Sequence, residues 1–218
     1  MFPALYAILD ADPEFSSEAA LSLPEIADRL VGAGVELFQY RDKRGSARRI
    51  YEYSLELCRR LASKNVRLIV NDRADIAAMT GAGGVHVGQE DVPVEDTRKI
   101  CGARVWVGVS THDLEQLRAA DATSADYIAV GPIFPTGTKA NPDPVVGLEF
   151  LREARRITRK PLVAIGGITV ESAGDVYQAG ADSIAVIRDL MAASDPAQRA
   201  REYLAIAKRV LPERAAGG

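Results

Sequence analysis

The stretch PLVAIGGITVESAGDVYQAGADSIAVIR, residues 161–188, holds a short apolar run, a segment with helical spacing and a second apolar run. Pro161–Gly167 and Ser183–Arg188 are rich in Val and Ile and too short for ordinary helices, so each predicts a β-strand. The helix between them is expected to begin near Val170. Near-continuous apolarity indicates strands that are covered on both faces, which is typical of a parallel sheet.

The same alternation recurs along the whole chain. The other predicted strands are Leu5–Asp10, Val35–Tyr40, Arg67–Asp72, Gly84–Gln89, Trp106–Thr111 and Tyr127–Pro132. The other helices are expected over 24–31 and 46–64 and from near Arg73, Pro93, Asp113, Leu148 and Pro196. Eight strand–helix pairs in 218 residues predict an α/β fold, the (β/α)8 TIM barrel. A doubly wound open sheet is the alternative, but the first strand lacks the Gly-rich sequence that usually follows it in such folds.

Composition narrows the class of protein. Hydrophobic residues make up 47% and charged residues 26%, and the net charge of −3 offers no overall positive field for nucleic acid or an anionic membrane. The N-terminus lacks the features of a signal peptide, and no stretch approaches the roughly 20 apolar residues that cross a bilayer. We therefore expect one cytoplasmic domain over residues 1–218, with homo-oligomerisation left open. Cys58 and Cys101 have no metal-site spacing and are expected to be free buried thiols.

Polar residues at strand ends are informative because barrel active sites lie at the carboxyl ends of the strands. On one face of the second strand, Gln39, Arg41 and Lys43 follow Val35 and Leu37. That face would begin inside the barrel and end at its mouth with an amide and two cations. The pattern predicts an anion site, and a solvated loop is the alternative.

Alternation also predicts which side chains turn away from the barrel axis. Phe38 and Tyr40 are expected to point outward beneath the helices. His86 alternates out of phase with the residues around it, Val85 and Val87, and is expected to pack under a helix.

Carboxylates follow the third and fourth strands. Asp72 and Asp91 end neighbouring strands, which lie about 5 Å apart, so both could reach one cation. Magnesium is commonly held by one or two carboxylates together with substrate phosphates. The alternative is that each carboxylate caps the helix that follows it. Ser110, near the end of the fifth strand, offers a donor to a phosphate or ring nitrogen, or else a helix cap.

Two connections carry phosphate-binding chemistry. After the sixth strand, Thr136, Gly137, Thr138 and Lys139 combine hydroxyls, backbone N–H groups and a cation, although a flexible linker is the alternative. At the end of the seventh strand, the glycine pair at 166–167 would let backbone N–H groups approach an anion closely. Loops after strands seven and eight form the phosphate site of many barrels.

Taken together, these segments resemble the thiamine-phosphate synthase family. The resemblance covers essentially the whole chain and is carried by the segments 39–43, 71–73, 85–91, 109–110, 135–139 and 164–168. It implies a magnesium-dependent enzyme with two phosphorylated substrates, 4-amino-2-methyl-5-(diphosphooxymethyl)pyrimidine and 4-methyl-5-(2-phosphooxyethyl)thiazole. Thiamine phosphate and pyrophosphate would be the products.

The resemblance also implies residue roles. The pyrimidine diphosphate would be held by Gln39, Tyr40, Arg41, Asp42, Lys43, Asn71, Ser110 and Lys139, and the catalytic residues among these would be Arg41, Lys43, Ser110 and Lys139. Asp72 and Asp91 would bind Mg²⁺. The thiazole phosphate would be surrounded by Thr136, Gly137, Thr138, Gly167, Ile187 and Arg188. Arg188 stands where the family usually has Ser, and Asp42 where it often has Glu.

Two other functions compete with this interpretation. A related barrel, a thiazole tautomerase, would isomerise the thiazole phosphate, but it would need neither the cationic strand ending at Lys43 nor the Asp72 and Asp91 pair. A non-catalytic barrel that senses a phosphorylated metabolite would bind without turnover.

Overall fold

Eight parallel strands close into a barrel in chain order in the computed structural model, which describes residues 2–11, 21–64, 66–137 and 144–216. The strands are β1 (Leu5–Asp10), β2 (Leu37–Arg41), β3 (Arg67–Asn71), β4 (Gly84–Val87), β5 (Trp106–Thr111), β6 (Tyr127–Val130), β7 (Leu162–Ile165) and β8 (Ser183–Val186). Leu5 of β1 lies opposite Ile184 of β8, which closes the sheet. The predicted (β/α)8 architecture is confirmed, and the open-sheet alternative is excluded.

Helices follow the strands around the barrel. They are α1 (Leu23–Gly32), α2 (Ala47–Leu61), α3 (Ala74–Thr80), α4 (Val94–Cys101), α5 (Leu114–Asp121), α6 (Gly147–Ile157), α7 (Val170–Gln178), α8 (Arg188–Met191) and α9 (Pro196–Ala216), with a 3-10 turn at Ala62–Lys64. The short helix α8 was not predicted, and the eighth strand ends at Val186 rather than at Arg188. None of the helices in the described part of the chain is long and apolar enough to span a membrane.

Buried side chains form two layers, one inside the barrel and one between the barrel and its helices. Tyr6, Ile8 and Leu37 are among the residues of the inner layer. Phe38 and Tyr40 lie in the outer layer, as their alternation predicts. Val35, which was expected inside, also lies in the outer layer. That prediction was wrong because β2 begins only at Leu37, so strand alternation does not extend back to Val35.

Aromatic rings close the amino end of the barrel. The rings of Phe2 and Trp106 stack with their centroids 5.2 Å apart. The centroids of the Phe2 and Tyr127 rings are 5.3 Å apart. The guanidinium of Arg67 lies 3.8 Å from the centre of the Trp106 ring. A cation over an aromatic face is attracted by the ring quadrupole, which stabilises this end of the barrel.

The cysteines are free, and both are half-buried rather than fully buried as expected. Burial is the main cause that raises the pKa of the Cys58 and Cys101 thiols. Because the thiolate is the nucleophilic form, a raised pKa makes either cysteine a poor nucleophile.

A repeated clamp lies at the amino ends of the last four strands. The sequence Ala-Asp-x-Ile-Ala-Val occurs at 125–130 and again at 181–186. Asp126 accepts hydrogen bonds from the Val107 backbone N–H at 2.7 Å and from Arg98 at 2.5 Å. Asp182 repeats this arrangement with the Leu162 backbone N–H at 2.8 Å and with Arg155 at 2.7 Å. Each aspartate therefore joins a strand, the preceding strand and a helix.

We expect Asp182→Ala to lower the free energy of unfolding by about 1–3 kcal/mol, because the Leu162 backbone N–H would lose its side-chain acceptor and Arg155 would lose its ion-pair partner while keeping its backbone acceptors. In a chain of this size the melting temperature should fall by about 2–4 °C for each kcal/mol. Thermal and urea unfolding would measure the change.

Glu149→Ala is the matched control. Glu149 pairs with Arg152 on the surface, and its side chain is 78% exposed, so the change should stay within about 0.5 kcal/mol. Equal destabilisation by the two substitutions would contradict a special role for the clamp.

Candidate active site

A cavity of about 1060 Å³ opens at the carboxyl ends of the strands. Ligand cavities of proteins commonly measure about 300–1,000 Å³, so this one has room for two small substrates. The predicted site residues that line it are Gln39, Arg41, Lys43, Asn71, Asp72, Asp91, Ser110, Thr136, Gly137, Gly167, Ile187 and Arg188. Thr138 and Lys139 lie outside the described residues.

Arg41, the last residue of β2, lines the cavity and is paired with a buried carboxylate. Arg41 forms an ion pair with Asp10 at the end of β1, and the Asp10 side chain is only 1% exposed. Asp10 lies beside Arg41 because β1 and β2 pair in that register. Sequence reasoning missed Asp10 as a functional residue, although a charged residue that ends a fully apolar strand was a usable signal.

Tyr40 and Asp42 do not line the cavity, in contrast to the other predicted residues of the second strand. The Tyr40 ring stacks on Tyr53 of α2, and its hydroxyl donates to Asp42 at 3.3 Å. Asp42 also accepts from the Gly45 backbone N–H at 2.6 Å and pairs with Arg49 at 3.1 Å. These contacts shape the turn between β2 and α2, because alternation turns both side chains away from the axis.

Asp72 and Asp91 lie together at the cavity rim. Lys43 Nζ is 2.5 Å from Asp72 Oδ2, and the Gly88 backbone N–H donates to Asp91 Oδ2 at 2.7 Å. Asp72 has φ +61°, a left-handed conformation that Asp tolerates better than most residues. The residues at the N-cap positions of α3 and α4 are Arg73 and Pro93, so neither aspartate caps a helix as the alternative had it.

The electrostatic surroundings of Asp72 suit a cation. Burial is the main cause that raises the pKa of Asp72, and the nearby carboxylate of Asp91 raises it further, whereas Lys43 lowers it. A carboxylate that is partly desolvated beside a second carboxylate is stabilised in its charged form by a cation. Oxygen donors of this kind are those that Mg²⁺ prefers.

His86 lies inside the barrel, so the prediction that it packs under a helix was wrong. Its Nδ1 is 3.0 Å from the Tyr127 hydroxyl and its Nε2 is 2.8 Å from Ser110 Oγ. Val85 and Val87 lie in the outer layer instead. The phase of β4 was misread because a strand buried on both faces shows little polar contrast between them.

Ser110 faces the cavity rather than a helix terminus. The following helix is capped by Asp113, whose carboxylate accepts from the Gln116 backbone N–H at 2.8 Å, so the capping alternative for Ser110 was wrong. Gln89, which also lines the cavity, donates to the Ser110 carbonyl oxygen at 2.6 Å. The Ser110 hydroxyl is therefore positioned from both β4 and the loop that follows it.

The glycine pair after β7 is required by close packing between two loops. Gly166 and Gly167 have φ +97° and +64°. A Cβ on Gly167 would lie 2.5 Å from the Pro135 carbonyl oxygen, and one on Gly166 would lie 2.5 Å from Pro132 Cβ. The loop after β6 thus lies directly against the loop after β7, and larger residues would push both out of the cavity wall.

Beyond β8, the first turn of α8 lines the cavity through Arg188 and Asp189. Asp189 accepts from Arg199 of α9 at 3.2 Å and from the Tyr203 hydroxyl at 2.6 Å. Tyr203 also lies 3.3 Å from the Ile168 carbonyl oxygen. Arg199, which sequence reasoning missed, therefore helps to fix α8 at the predicted phosphate end, and Tyr203 joins α8 to the loop after β7.

Comparisons with known proteins show the family and the fold. A family model described as thiamine monophosphate synthase matches residues 5–190. A thiamine-phosphate synthase from Koribacter versatilis is 53% identical over 204 residues, which cover 94% of this chain and 95% of that protein. The structure of thiamine phosphate pyrophosphorylase from Pyrococcus furiosus is similar with a TM-score of 0.85 and 33% identity, covering 95% of this chain and 96% of that one. A 3-hexulose-6-phosphate synthase from Salmonella typhimurium shares the fold alone, with a TM-score of 0.69 and 19% identity over 94% of this chain and 99% of that one.

The charges at the cavity rim predict that two substitutions change the pKa of Asp72 in opposite directions. Lys43→Met should raise the pKa of Asp72 further, because it removes the cation that opposes the effect of burial. Asp91→Asn should lower it, because a negative neighbour is lost. A ¹³C NMR titration of the Asp72 carboxyl carbon would measure both, and shifts in the same direction would contradict the arrangement.

Proposed function

The chain belongs to the thiamine monophosphate synthase family, and we propose from this premise that it is a transferase that joins the pyrimidine and thiazole halves of thiamine phosphate. The substrates would be 4-amino-2-methyl-5-(diphosphooxymethyl)pyrimidine and 4-methyl-5-(2-phosphooxyethyl)thiazole. The observation that carries the proposal is the convergence of Arg41, Lys43, Asp72 and Asp91 at one rim of one cavity. A tautomerase of the thiazole phosphate would need neither the cations nor the carboxylate pair.

Two positive side chains at this rim support diphosphate binding, although the protein as a whole is negatively charged. The protein carries a net charge of −3, yet Arg41 at the end of β2 and Lys43 two residues beyond it both line the cavity. An arginine offers a planar fork of donors for phosphate oxygens, and a lysine offers a compact positive charge. We extend the proposal to Lys139, whose position lies outside the described residues.

The carboxylate pair fits a magnesium ion. Asp72 and Asp91 supply hard oxygen donors, and burial already raises the pKa of Asp72 in a way that a cation would oppose. Within the described ranges no group of three or more His, Cys, Asp and Glu side chains could hold a metal by itself. Two carboxylates completed by phosphate oxygens and water are a usual Mg²⁺ environment, and the ion would neutralise charge on the diphosphate.

The reaction would require no general base. The thiazole nitrogen attacks with a lone pair and carries no proton, and in this dissociative displacement the C–O bond to the diphosphate would break before the C–N bond forms. The aminopyrimidine can stabilise positive charge at its exocyclic methylene, which favours early loss of pyrophosphate. Arg41, Lys43 and Lys139 would stabilise the charge that develops on the leaving group.

The other end of the cavity would hold the thiazole phosphate. Thr136, Gly137 and Gly167 line it where the loops after β6 and β7 pack together, and Ile187 and Arg188 line it after β8. Arg188, where the family usually has Ser, would add a charged hydrogen bond to the phosphate. We propose the same role for Thr138, which lies outside the described residues.

Pyrophosphate release from the two mixed substrates tests the function directly. Release should require both substrates and Mg²⁺, should stop with a chelator and should return when Mg²⁺ is added back. Asp91→Asn should lower turnover by about 10²-fold, because a ligand of the charge-stabilising ion is lost. Isomerised thiazole phosphate without pyrophosphate would indicate the tautomerase, and binding without turnover would indicate the sensor.

A second substitution tests the buried ion pair. Asp10→Asn should lower kcat/KM by up to about 10²-fold, because Arg41 would lose the charge that holds its guanidinium at the rim. Steady-state pyrophosphate release would measure it, with the exposed Glu149→Gln as control. Unchanged kinetics for Asp10→Asn would show that Arg41 needs no such support.

A further inference from the structure

One chain of side-chain hydrogen bonds crosses the barrel interior and joins two residues of the cavity. It starts at Gln39, whose Nε2 is 2.8 Å from the Tyr6 hydroxyl. The Tyr6 and Tyr127 hydroxyls are 3.0 Å apart. Tyr127 is 3.0 Å from His86 Nδ1, and His86 Nε2 is 2.8 Å from Ser110 Oγ. The two tyrosines are almost completely buried, and Tyr6 and His86 line the cavity together with Gln39 and Ser110 at the two ends of the chain.

The hydrogen bonds of this chain run in one direction. An amide nitrogen only donates, so Gln39 donates to the Tyr6 oxygen, and the Tyr6 proton points to Tyr127, the other partner of this hydroxyl among the described residues. Tyr127 then donates to His86 Nδ1. The imidazole proton therefore lies on Nε2 and is donated to Ser110 Oγ, which leaves the Ser110 proton for the cavity.

The buried tyrosines can maintain this direction. Burial is the main cause that raises the pKa of both Tyr6 and Tyr127, so each keeps its single proton at neutral pH. A hydroxyl with one proton donates once and accepts on its other side. The state of one end of the chain is thus linked to the state of the other.

We propose that this chain selects the hydrogen-bonding edge of the pyrimidine substrate. At one end it leaves the Gln39 carbonyl oxygen as an acceptor, and at the other it leaves the Ser110 hydroxyl as a donor. A 4-aminopyrimidine matches this pair, because its amino group donates and the adjacent ring nitrogen accepts. A 4-oxopyrimidine presents the reverse, a carbonyl acceptor and a ring N–H donor. The inference rests on the proposed function, and it makes His86 and Tyr127 positioning residues that act through Ser110.

Binding of the oxo ring would require the whole chain to reverse. The Gln39 amide would turn over, both tyrosine protons would change sides and the His86 proton would move to Nδ1. A mismatched ring would otherwise leave polar groups unpaired in a partly buried site. We expect the amino compound to bind at least about ten-fold more tightly than the oxo compound.

The tautomer of His86 tests the direction in the protein without substrate. The chain has two histidines, so ¹⁵N-histidine labelling gives two imidazole rings with two ring-nitrogen signals each. His112 is an internal reference, because its Nδ1 is 2.7 Å from the Gly131 carbonyl oxygen and must carry a proton there. We expect a proton on Nε2 alone for His86, assigned with His86→Gln. A proton on Nδ1, or on both nitrogens, would overturn the inference.

Edge selection is tested by separating the two ends of the chain. Tyr127→Phe removes the central hydroxyl and keeps the ring, so Gln39 and Ser110 could reorient independently. Dissociation constants of the 4-amino and 4-oxo pyrimidine diphosphates, measured without thiazole, should then differ about ten-fold less than in the unchanged protein. Tyr177→Phe is the matched control, because it removes a buried hydroxyl that donates to the Ala4 carbonyl oxygen, outside the chain.

The outcomes separate this inference from the proposed function. Equal affinity for the two compounds in the unchanged protein, or a preference that persists in Tyr127→Phe, would overturn edge selection alone. Failure of both compounds to bind would overturn the proposed function and edge selection with it. A preference that is lost in Tyr127→Phe and kept in Tyr177→Phe supports both.

Discussion

Closure of eight parallel strands is the constraint on which the rest of this structure depends. Because β1 pairs with both β2 and β8, all carboxyl ends lie at one rim, where Arg41, Asp91 and Ser110 meet although they are far apart in sequence. Closure also forces every second side chain into a narrow interior. A polar group there without a partner would cost about 1–3 kcal/mol, and the polar side chains of Gln39, Tyr6, Tyr127 and His86 offset this cost by hydrogen bonding to one another.

Charge compensation at the rim follows from the same geometry. Neighbouring strands bring opposite charges together, so Asp10 faces Arg41 and Asp72 faces Lys43. Each cation is paired with a carboxylate from a neighbouring strand or the residue that follows it, so its positive charge is offset in the protein without ligand. An incoming anion therefore meets cations that are already positioned, and the protein as a whole can remain acidic.

The fold could be predicted from sequence more fully than the site. Apolar runs identified every strand, and alternation along the second strand correctly turned Arg41 toward the mouth. The fourth strand is buried on both faces, so its phase, and with it the inward position of His86, could not be obtained from periodicity. The role of Asp10 depends on its ion pair with Arg41 of the next strand, which the sequence alone does not reveal. Arg188 begins a helix of a single turn, which is too short to leave a periodic signal.

The repeated Ala-Asp-x-Ile-Ala-Val clamps lie at the end of the barrel opposite the cavity. Asp126 and Asp182 fasten two successive strand–helix modules without contributing any atom to the cavity lining. The contacts of the two clamps and the residues of the candidate site therefore lie at opposite ends of the barrel. The loops at the cavity end can therefore vary while the barrel is kept. The 3-hexulose-6-phosphate synthase shares this fold at only 19% identity. An engineer seeking new substrates would accordingly vary the loops and leave the two aspartates untouched.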